Sequence, residues 1–504
     1  MKISKISMAS ALALASASVL GEVRFASPFA DGMVLQRDRE VVVWGTADAG
    51  EGVRVTFADH EVETTADGSG NWRVRLPKME ASKEGRVLTA ISGTTKIPQT
   101  VSDVLVGEVW YLCGQSNCEM PLVGDNPHFS DRQGRLVARM TQKPYIRFAY
   151  ASDYRISGEP RRTATYPVVW KPFTPENLMS GKSFSAVGVY FGLELYSALD
   201  VPIGLVGSYW GGTNIDAWTP REGYANHPGL KDLADWRFVP ESEWTPSNKC
   251  GVIDRVRQQP TVLWNEMVEP WCPMSMRGFV WYQGCHNFMD HERYAEKMHA
   301  LYDGWSAKFE NPDLKLYFVQ LAPFKADWWN VQLAQARFAA EEKNAGMATA
   351  ADVGNNYDVH PIEKGTVGKR LAALALNRDY GFTDIRADAP TLRGICSEEG
   401  RLILSFSNAK GWYVYQPDWG VDYNLEIAGP DGVWKKAYIV NANGGAKEAK
   451  PWETRGVCEG RDLILAADGV EKPMKVRYLR CAPWVGTIYA DSGLPLGPFE
   501  AEVK

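Results

Sequence analysis

Residues 104–117 read VLVGEVWYLCGQSN. From Val104 to Cys113 the run is apolar apart from Glu108, with no polar residue at alternate positions. A strand buried on both faces has this pattern, and such strands belong to parallel sheets covered by helices. The segment Gly114-Gln115-Ser116-Asn117 follows at the carboxyl end of that strand, where an open parallel sheet presents its chemistry. On a strand-to-helix turn, the Ser116 hydroxyl is exposed, and its own N–H and those of its neighbours point into the site. The plainer alternative is a serine that caps a helix.

The pattern downstream repeats this theme. Val187, Tyr190, Phe191 and Leu195 share a helical face that ends before Pro202, and Ile203–Tyr209 reads as the next strand. Gly278–Tyr282 is a further strand, followed by a helical stripe through Tyr294, Met298, Leu301, Trp305 and Phe309. Leu316–Leu321 and Ala348–Val353 read as strands around a helix over Val331–Lys343, and Val367, Leu371 and Leu374 mark a closing helix. Alternation of strand and helix predicts a mainly parallel sheet with helices on both faces. Upstream, Val53, Val55 and Phe57, then Trp72, Val74 and Leu76, alternate with polar residues, the mark of short antiparallel strands. The β signature returns near 385, with strands at Leu402–Phe406 and Leu463–Leu465 and a turn at Pro430-Asp431-Gly432. The expected organisation is a signal peptide over 1–21, a β-sandwich-like domain over 22–104, an α/β catalytic domain over 105–384 and a β domain over 385–504. Within the catalytic domain, about 215–275 is rich in Pro and Trp, lacks periodicity and reads as an insertion or long loops beside the site.

Composition narrows the function classes. The 504 residues are 45% hydrophobic and 23% charged, which excludes disordered and fibrous chains. With 61 acidic against 55 basic residues and a net charge of −6, the chain lacks the basic patch that nucleic-acid binding needs. Its 19 Trp suit core packing first and sugar stacking second. Lys2 and Lys5 precede a short run of small apolar residues ending near Gly21, the layout of a secretory signal. The expected mature chain is therefore periplasmic or secreted, with no membrane insertion. The eight Cys are irregularly spaced, with no CxxC pair, so neither a disulfide framework nor a common zinc motif is expected.

Two further motifs follow strands of the expected sheet. Tyr209-Trp210-Gly211-Gly212-Thr213 pairs two glycines that let the backbone approach a ligand and offer an N–H to an oxyanion, or simply form a turn. Asp358-Val359-His360-Pro361 supplies a histidine able to take a serine proton, with a carboxylate beside it to fix the imidazole. Among only seven His, His360 ranks first because it follows a sheet strand.

Taken together the motifs resemble the sialate O-acetylesterase family of the SGNH (GDSL-type) hydrolases. The matching stretches are GMVLQRDREVVVWGTADAGE, GEVWYLCGQSNCEMPL, GSYWGGTNIDAW, GFVWYQGCHN, DVHP with EKGTVGKRLAALAL, and GLPLGPF, in order from residue 32 to 499. The resemblance implies an α/β/α SGNH core flanked by β domains, a serine esterase that removes O-acetyl groups from sialic acid, and no metal or other cofactor. It implies Ser116 as nucleophile, His360 as base and Asp358 as the third triad member. The Ser116 and Gly212 N–H groups would form the oxyanion hole, with Gln283 as the first side-chain donor and Asn287 as runner-up. Two departures stand out: Cys285-His286 replaces the family's Glu-Ser pair, and Cys118 replaces a Met.

Alternatives remain open at this level. An esterase for acetylated xylan or another polysaccharide shares the core motifs. A carbohydrate-binding protein with impaired catalysis fits the altered Cys285-His286 pair, and a metal site of Cys272, Cys285, His286 and His291 follows no standard spacing. For sialic acid, a cation should meet the C1 carboxylate, and Arg221 and Arg277 lie close in sequence to the motifs. The Trp-rich 215–275 segment points in the same direction, to an O-acetylated sugar.

Overall fold

The computed structural model describes residues 22–503 except 152–153, 182–183, 246–252, 355–356, 416–423, 442–454 and 481–484. The expected signal peptide lies outside the described residues. Six strands form the parallel centre of the fold, in the order Lys143–Tyr150, Ile203–Tyr209, Pro98–Gly114, Gly278–Tyr282, Lys315–Val319 and Ala345–Ala348. Trp170–Phe173 adds an antiparallel edge.

Side-chain alternation along the central strand decides where the helices sit. Trp110 and Tyr111 are adjacent, so their rings project to opposite faces. Trp110 meets Phe191 of the helix Ala186–Leu199 edge-on, with ring centroids 5.2 Å apart. Tyr111 meets Trp305 of the helix Tyr294–Lys308 at 5.4 Å. One apolar strand thus anchors a helical layer on each side, which is the expected α/β/α core. Burial of each large ring is worth about 4–6 kcal/mol before ordering costs. Helix Ala186–Leu199 starts where the Ser185 hydroxyl accepts the Gly188 N–H, and ends at Asp200 in the left-handed conformation. A Cβ on Gly188 would come within 2.6 Å of Leu112, so the glycine sets how closely helix and sheet approach.

The strand Pro98–Gly114 is 17 residues long and serves two sheets. Its first half pairs antiparallel with Ser82–Ser92 and parallel with Val34–Gln36, and its second half joins the parallel centre. The expected boundary at 104/105 falls inside this strand. Residues of the N-terminal strands and of the α/β layers share one apolar core, from Val43, Val55 and Trp72 to Trp110 and Phe318. At the other end, small antiparallel sheets between Thr391 and Glu502 enclose a second core around Leu404, Trp412, Ile427, Leu463 and Ile488.

Several expectations shift. The strand placed at Ala348–Val353 is observed at Ala345–Ala348, and the residues after it form the loop toward His360. Lys143–Tyr150 escaped the sequence reading because Lys143, Pro144 and Arg147 interrupt its apolar run. Arg147 is nevertheless buried, held by the carbonyls of Gly32 and Pro144 and by Asp103. The described residues of the 215–275 segment are rich in short helical turns, and Trp218, Trp264 and Trp271 are fully buried core residues. These three tryptophans do not hold a sugar.

Candidate active site

Four loops leave the carboxyl ends of the parallel strands and meet: those carrying Ser116, Trp210 and Gln283 follow three adjacent strands, and the one carrying His360 follows Ala345–Ala348. At the first, Gly114 has φ +144°, and a Cβ there would lie 2.3 Å from the Tyr282 carbonyl oxygen of the next strand. Only glycine lets the chain leave the sheet so close to its neighbour. The short helix Ser116–Glu119 follows at once. It is too brief for its own cooperativity, so the fixed strand end is what holds Ser116 in place.

His360 Nε2 lies 2.8 Å from Ser116 Oγ. Asp358 Oδ1 accepts the His360 backbone N–H at 2.9 Å and lies 3.5 Å from Nδ1 on the ring. The Phe129 ring packs edge-on against the imidazole at 4.9 Å. Burial and then the Lys364 cation hold the His360 pKa below its ordinary value, while Asp358 opposes them. The imidazole is therefore neutral and basic at neutral pH, as a general base must be.

Behind this pair runs a connection that the sequence reading did not single out. Lys364 is fully buried, and its ammonium donates to Asn117 Oδ1. Asn117 Nδ2 in turn donates to the Val359 carbonyl at 3.0 Å. The serine turn and the histidine loop are thus tied through one amide. The Lys364 Nζ also sits over the Tyr282 ring at 5.2 Å, and burial pushes its pKa down to about 7. A signal was present: Lys364 stands on the same helical stripe as Val367, Leu371 and Leu374, where a solvated lysine does not belong. Cys118 and Cys285 lie near this ammonium, and a thiolate at either position would act on it. Desolvation pushes the Cys285 thiol up to about 12, so both are present as thiols at neutral pH.

The second loop begins at Trp210, whose N–H donates to the Gly114 carbonyl. The Gly211 N–H donates to Glu119 at 2.7 Å, and Glu119 also accepts the Tyr154 hydroxyl. Gly212, at φ +65°, offers its carbonyl to Gln258 Nε2 at 2.9 Å. Among the described residues, the N–H groups of Ser116 and Gly212 have no acceptor.

The third loop follows Gly278–Tyr282 and corrects one expectation. Gln283 is buried, and its amide donates to the Thr213 carbonyl at 3.0 Å and to Asn287 Oδ1 at 2.7 Å. Its Oε1 accepts the Tyr294 hydroxyl. That side chain is committed to holding two loops together and has no hydrogen left for a substrate. Asn287 is also buried, with Oδ1 accepting from Gln283 and from the Ile215 N–H. Its Nδ2 has no partner. An orphaned buried donor is costly, and one beside a nucleophile is suited to a developing oxyanion.

The two arginines proposed for a sugar carboxylate lie elsewhere. Arg277 binds Glu108 with two 3.0 Å contacts at the amino end of the strands, away from the loops. Arg221 donates to the carbonyls of Ala234 and Trp236. His286 contacts Gln258, Cys272 reaches only the Val268 carbonyl, and His291 meets Asn330. Among the described residues, no group of three or more His, Cys, Asp or Glu is arranged to hold a metal ion. Cys113, Cys118, Cys272, Cys285 and Cys396 are free.

Comparisons with known proteins show the family to which the chain belongs. Residues 106–377 match the model of the family described as carbohydrate esterase, sialic acid-specific acetylesterase. The human sialate O-acetylesterase is 30% identical over 420 residues, covering 76% of each chain. Its rat counterpart is 30% identical over 415 residues, covering 73% of this chain and 75% of the relative. The crystal structure of a carbohydrate acetylesterase from Xanthomonas citri superposes with a TM-score of 0.79 at 29% identity, covering 96% of this chain and all of the other. A chain whose serine and histidine meet at the end of such a sheet, and whose sequence matches over these spans, belongs to the carbohydrate esterase family of sialic acid-specific acetylesterases.

Proposed function

We propose that this protein is a serine esterase that releases acetate from O-acetylated sialic acids on glycans. The observation that carries the reading is the 2.8 Å contact between Ser116 Oγ and His360 Nε2 in a chain of this family. In the first step Ser116 Oγ bonds to the acetyl carbonyl carbon as its proton passes to His360 Nε2. Charge gathers on the carbonyl oxygen, where the N–H groups of Ser116 and Gly212 and the Asn287 amide serve as donors. The bond to the sugar oxygen breaks, and His360 returns the proton to it. Water then attacks the acetyl-serine by the same route, releasing acetate. Asp358 steadies the imidazolium in both steps.

The Lys2 and Lys5 start and the small-residue boundary of residues 1–21 support export, so the substrate would be an extracellular or periplasmic glycan. No helix among the described residues is long and apolar enough to cross a membrane.

The test is acetate release from O-acetylated sialic acid and from acetylated xylan, each with the wild type, Ser116→Ala and His360→Ala. The expected result is a higher kcat/KM on the sialic acid, lowered on the order of 10³-fold or more in both variants. A higher kcat/KM on xylan, with sialic acid acetyl groups left intact, would leave an esterase of a different substrate class.

A further inference from the structure

The rim of the site carries a cation on which Asp254 and Glu119 act only at a distance, without a direct ion pair among the described residues. Arg257 lies in the short turn Val256–Gln258, inside the segment expected to be an insertion. The turn is fixed against the second loop, because Gln258 Nε2 donates to the Gly212 carbonyl and the Gln258 carbonyl accepts from Asn214. The Arg257 guanidinium lies over the Trp210 ring at 5.3 Å. A Cβ on Gly212 would come 3.3 Å from its Nη2, and one on Gly211 would come 3.2 Å from Ser116 Cβ. With neighbouring Cα atoms about 3.8 Å apart, the cation is at most about 15 Å from Ser116 Oγ. One acetylated nine-carbon sugar spans that interval.

A guanidinium has five N–H donors. Here the only acceptor among the described residues is the Gly211 carbonyl, at 3.4 Å from Nη2, and Nε is buried with no partner. Among the described residues, no carboxylate pairs with it within 4 Å. Glu119 is occupied by Gly211 and Tyr154, and Asp254 faces His286. A structural arginine would have partners of this kind, as Arg277 does with Glu108. A desolvated, stacked and pre-positioned guanidinium is instead arranged for a planar anion that arrives from outside.

We propose that Arg257, held in place by stacking on Trp210, is the specificity-determining residue that binds the C1 carboxylate of the acidic sugar. The assignment rests on the sialate reading above. It makes the chain an esterase for anionic sugars, with neutral acetylated sugars bound less tightly for want of a partner to the guanidinium.

The test compares O-acetylated sialic acid with its C1 methyl ester, which keeps the acetyl group and loses the charge. For the wild type, kcat/KM on the acid should exceed that on the methyl ester by about 10- to 100-fold, the usual worth of a charge-assisted hydrogen-bonded pair. In Arg257→Gln this ratio should fall to within about 3-fold, chiefly through KM, and Arg257→Lys should recover part of it. Because the ratio is taken within one preparation, a general loss of folding or catalysis cancels. A ratio unchanged in Arg257→Gln, or a wild type indifferent to the methyl ester, overturns the assignment while acetate release keeps the sialate reading. A wild type that cleaves 4-nitrophenyl acetate and neither sialic acid ester overturns both.

Discussion

Replacing Lys364 by methionine should stabilise the protein at pH 7 while impairing it as an enzyme. The lysine ionises at 10.5 in the ordinary case and near 7 in its buried position. Between these values the unfolded chain holds a proton that the folded chain has given up, so wild-type stability rises as pH climbs from 7 toward 10.5. At about 1.36 kcal/mol per pH unit, the cost of this residue is about 4 kcal/mol at pH 7 and about 2 kcal/mol at pH 9. Methionine keeps the apolar stem but strands Asn117 Oδ1, at a cost of about 1–3 kcal/mol that does not vary with pH. Lys364→Met should therefore gain about 1–3 kcal/mol at pH 7, and about 2 kcal/mol of that difference should vanish by pH 9. Urea unfolding of both proteins at the two pH values, followed by tryptophan fluorescence, reads the difference directly. A variant equally destabilised at pH 7 and pH 9 would refute the reasoning. Activity supplies the second readout. With Asn117 no longer held, kcat should drop about tenfold or more, the rate equivalent of about 1.4 kcal/mol. The acid limb of kcat/KM should move to higher pH, because the cation no longer opposes protonation of His360.

Two further outcomes follow from the same geometry. Asn287→Asp preserves the oxygen that accepts from Gln283 and Ile215 but removes the orphaned donor, so kcat should fall about 10²- to 10³-fold with KM little changed; steady-state kinetics checks this, and unaltered kcat would leave the oxyanion to backbone groups alone. The wild-type acid limb of kcat/KM should titrate below pH 6.5, since burial and Lys364 together hold the His360 pKa down; in Asp358→Asn, which removes the one group that raises it, a pH–rate profile should show the limb moving lower still.

The parts of the site that were legible in sequence are those fixed by strand ends. The apolar run before Ser116 and the strands before Trp210 and Gln283 determine which loops meet, and continuous apolar runs reveal such strands. What faces inward within a loop is a different matter. Gln283 and Asn287 are both amides on the same turn, and only the partners at Thr213, Ile215 and Tyr294 decide which one has a donor to spare. Arg277 stands next to a motif in sequence yet lies at the far end of a strand, because a strand of five residues separates its two ends by about 15 Å. Arg257 stands next to no motif and reaches the site through tertiary packing. The strand Lys143–Tyr150 was hidden for a related reason: Arg147 meets its hydrogen-bonding needs inside the fold, so a charged residue interrupts the pattern without interrupting the sheet. Lys364 was visible as a misfit on an apolar stripe, but the spacing alone gave it no partner.

The strand Pro98–Gly114 has a consequence for how the chain is made and divided. Its first half is matched by residues already synthesised, and its second half waits for Ile203–Tyr209 and Gly278–Tyr282. The N-terminal unit therefore leaves the ribosome with a bare apolar half-strand, one edge of which stays open until Ile203–Tyr209 has emerged and the other until Gly278–Tyr282 follows, and exposed edges of that kind recruit other chains. A gene fragment beginning at residue 105 would sever the same strand from its antiparallel support and lose the N-terminal share of a common core. The β unit is thus inseparable from the enzyme: it is the scaffold on which the nucleophile's strand is laid down, and exchange of domains between relatives would have to carry the two together.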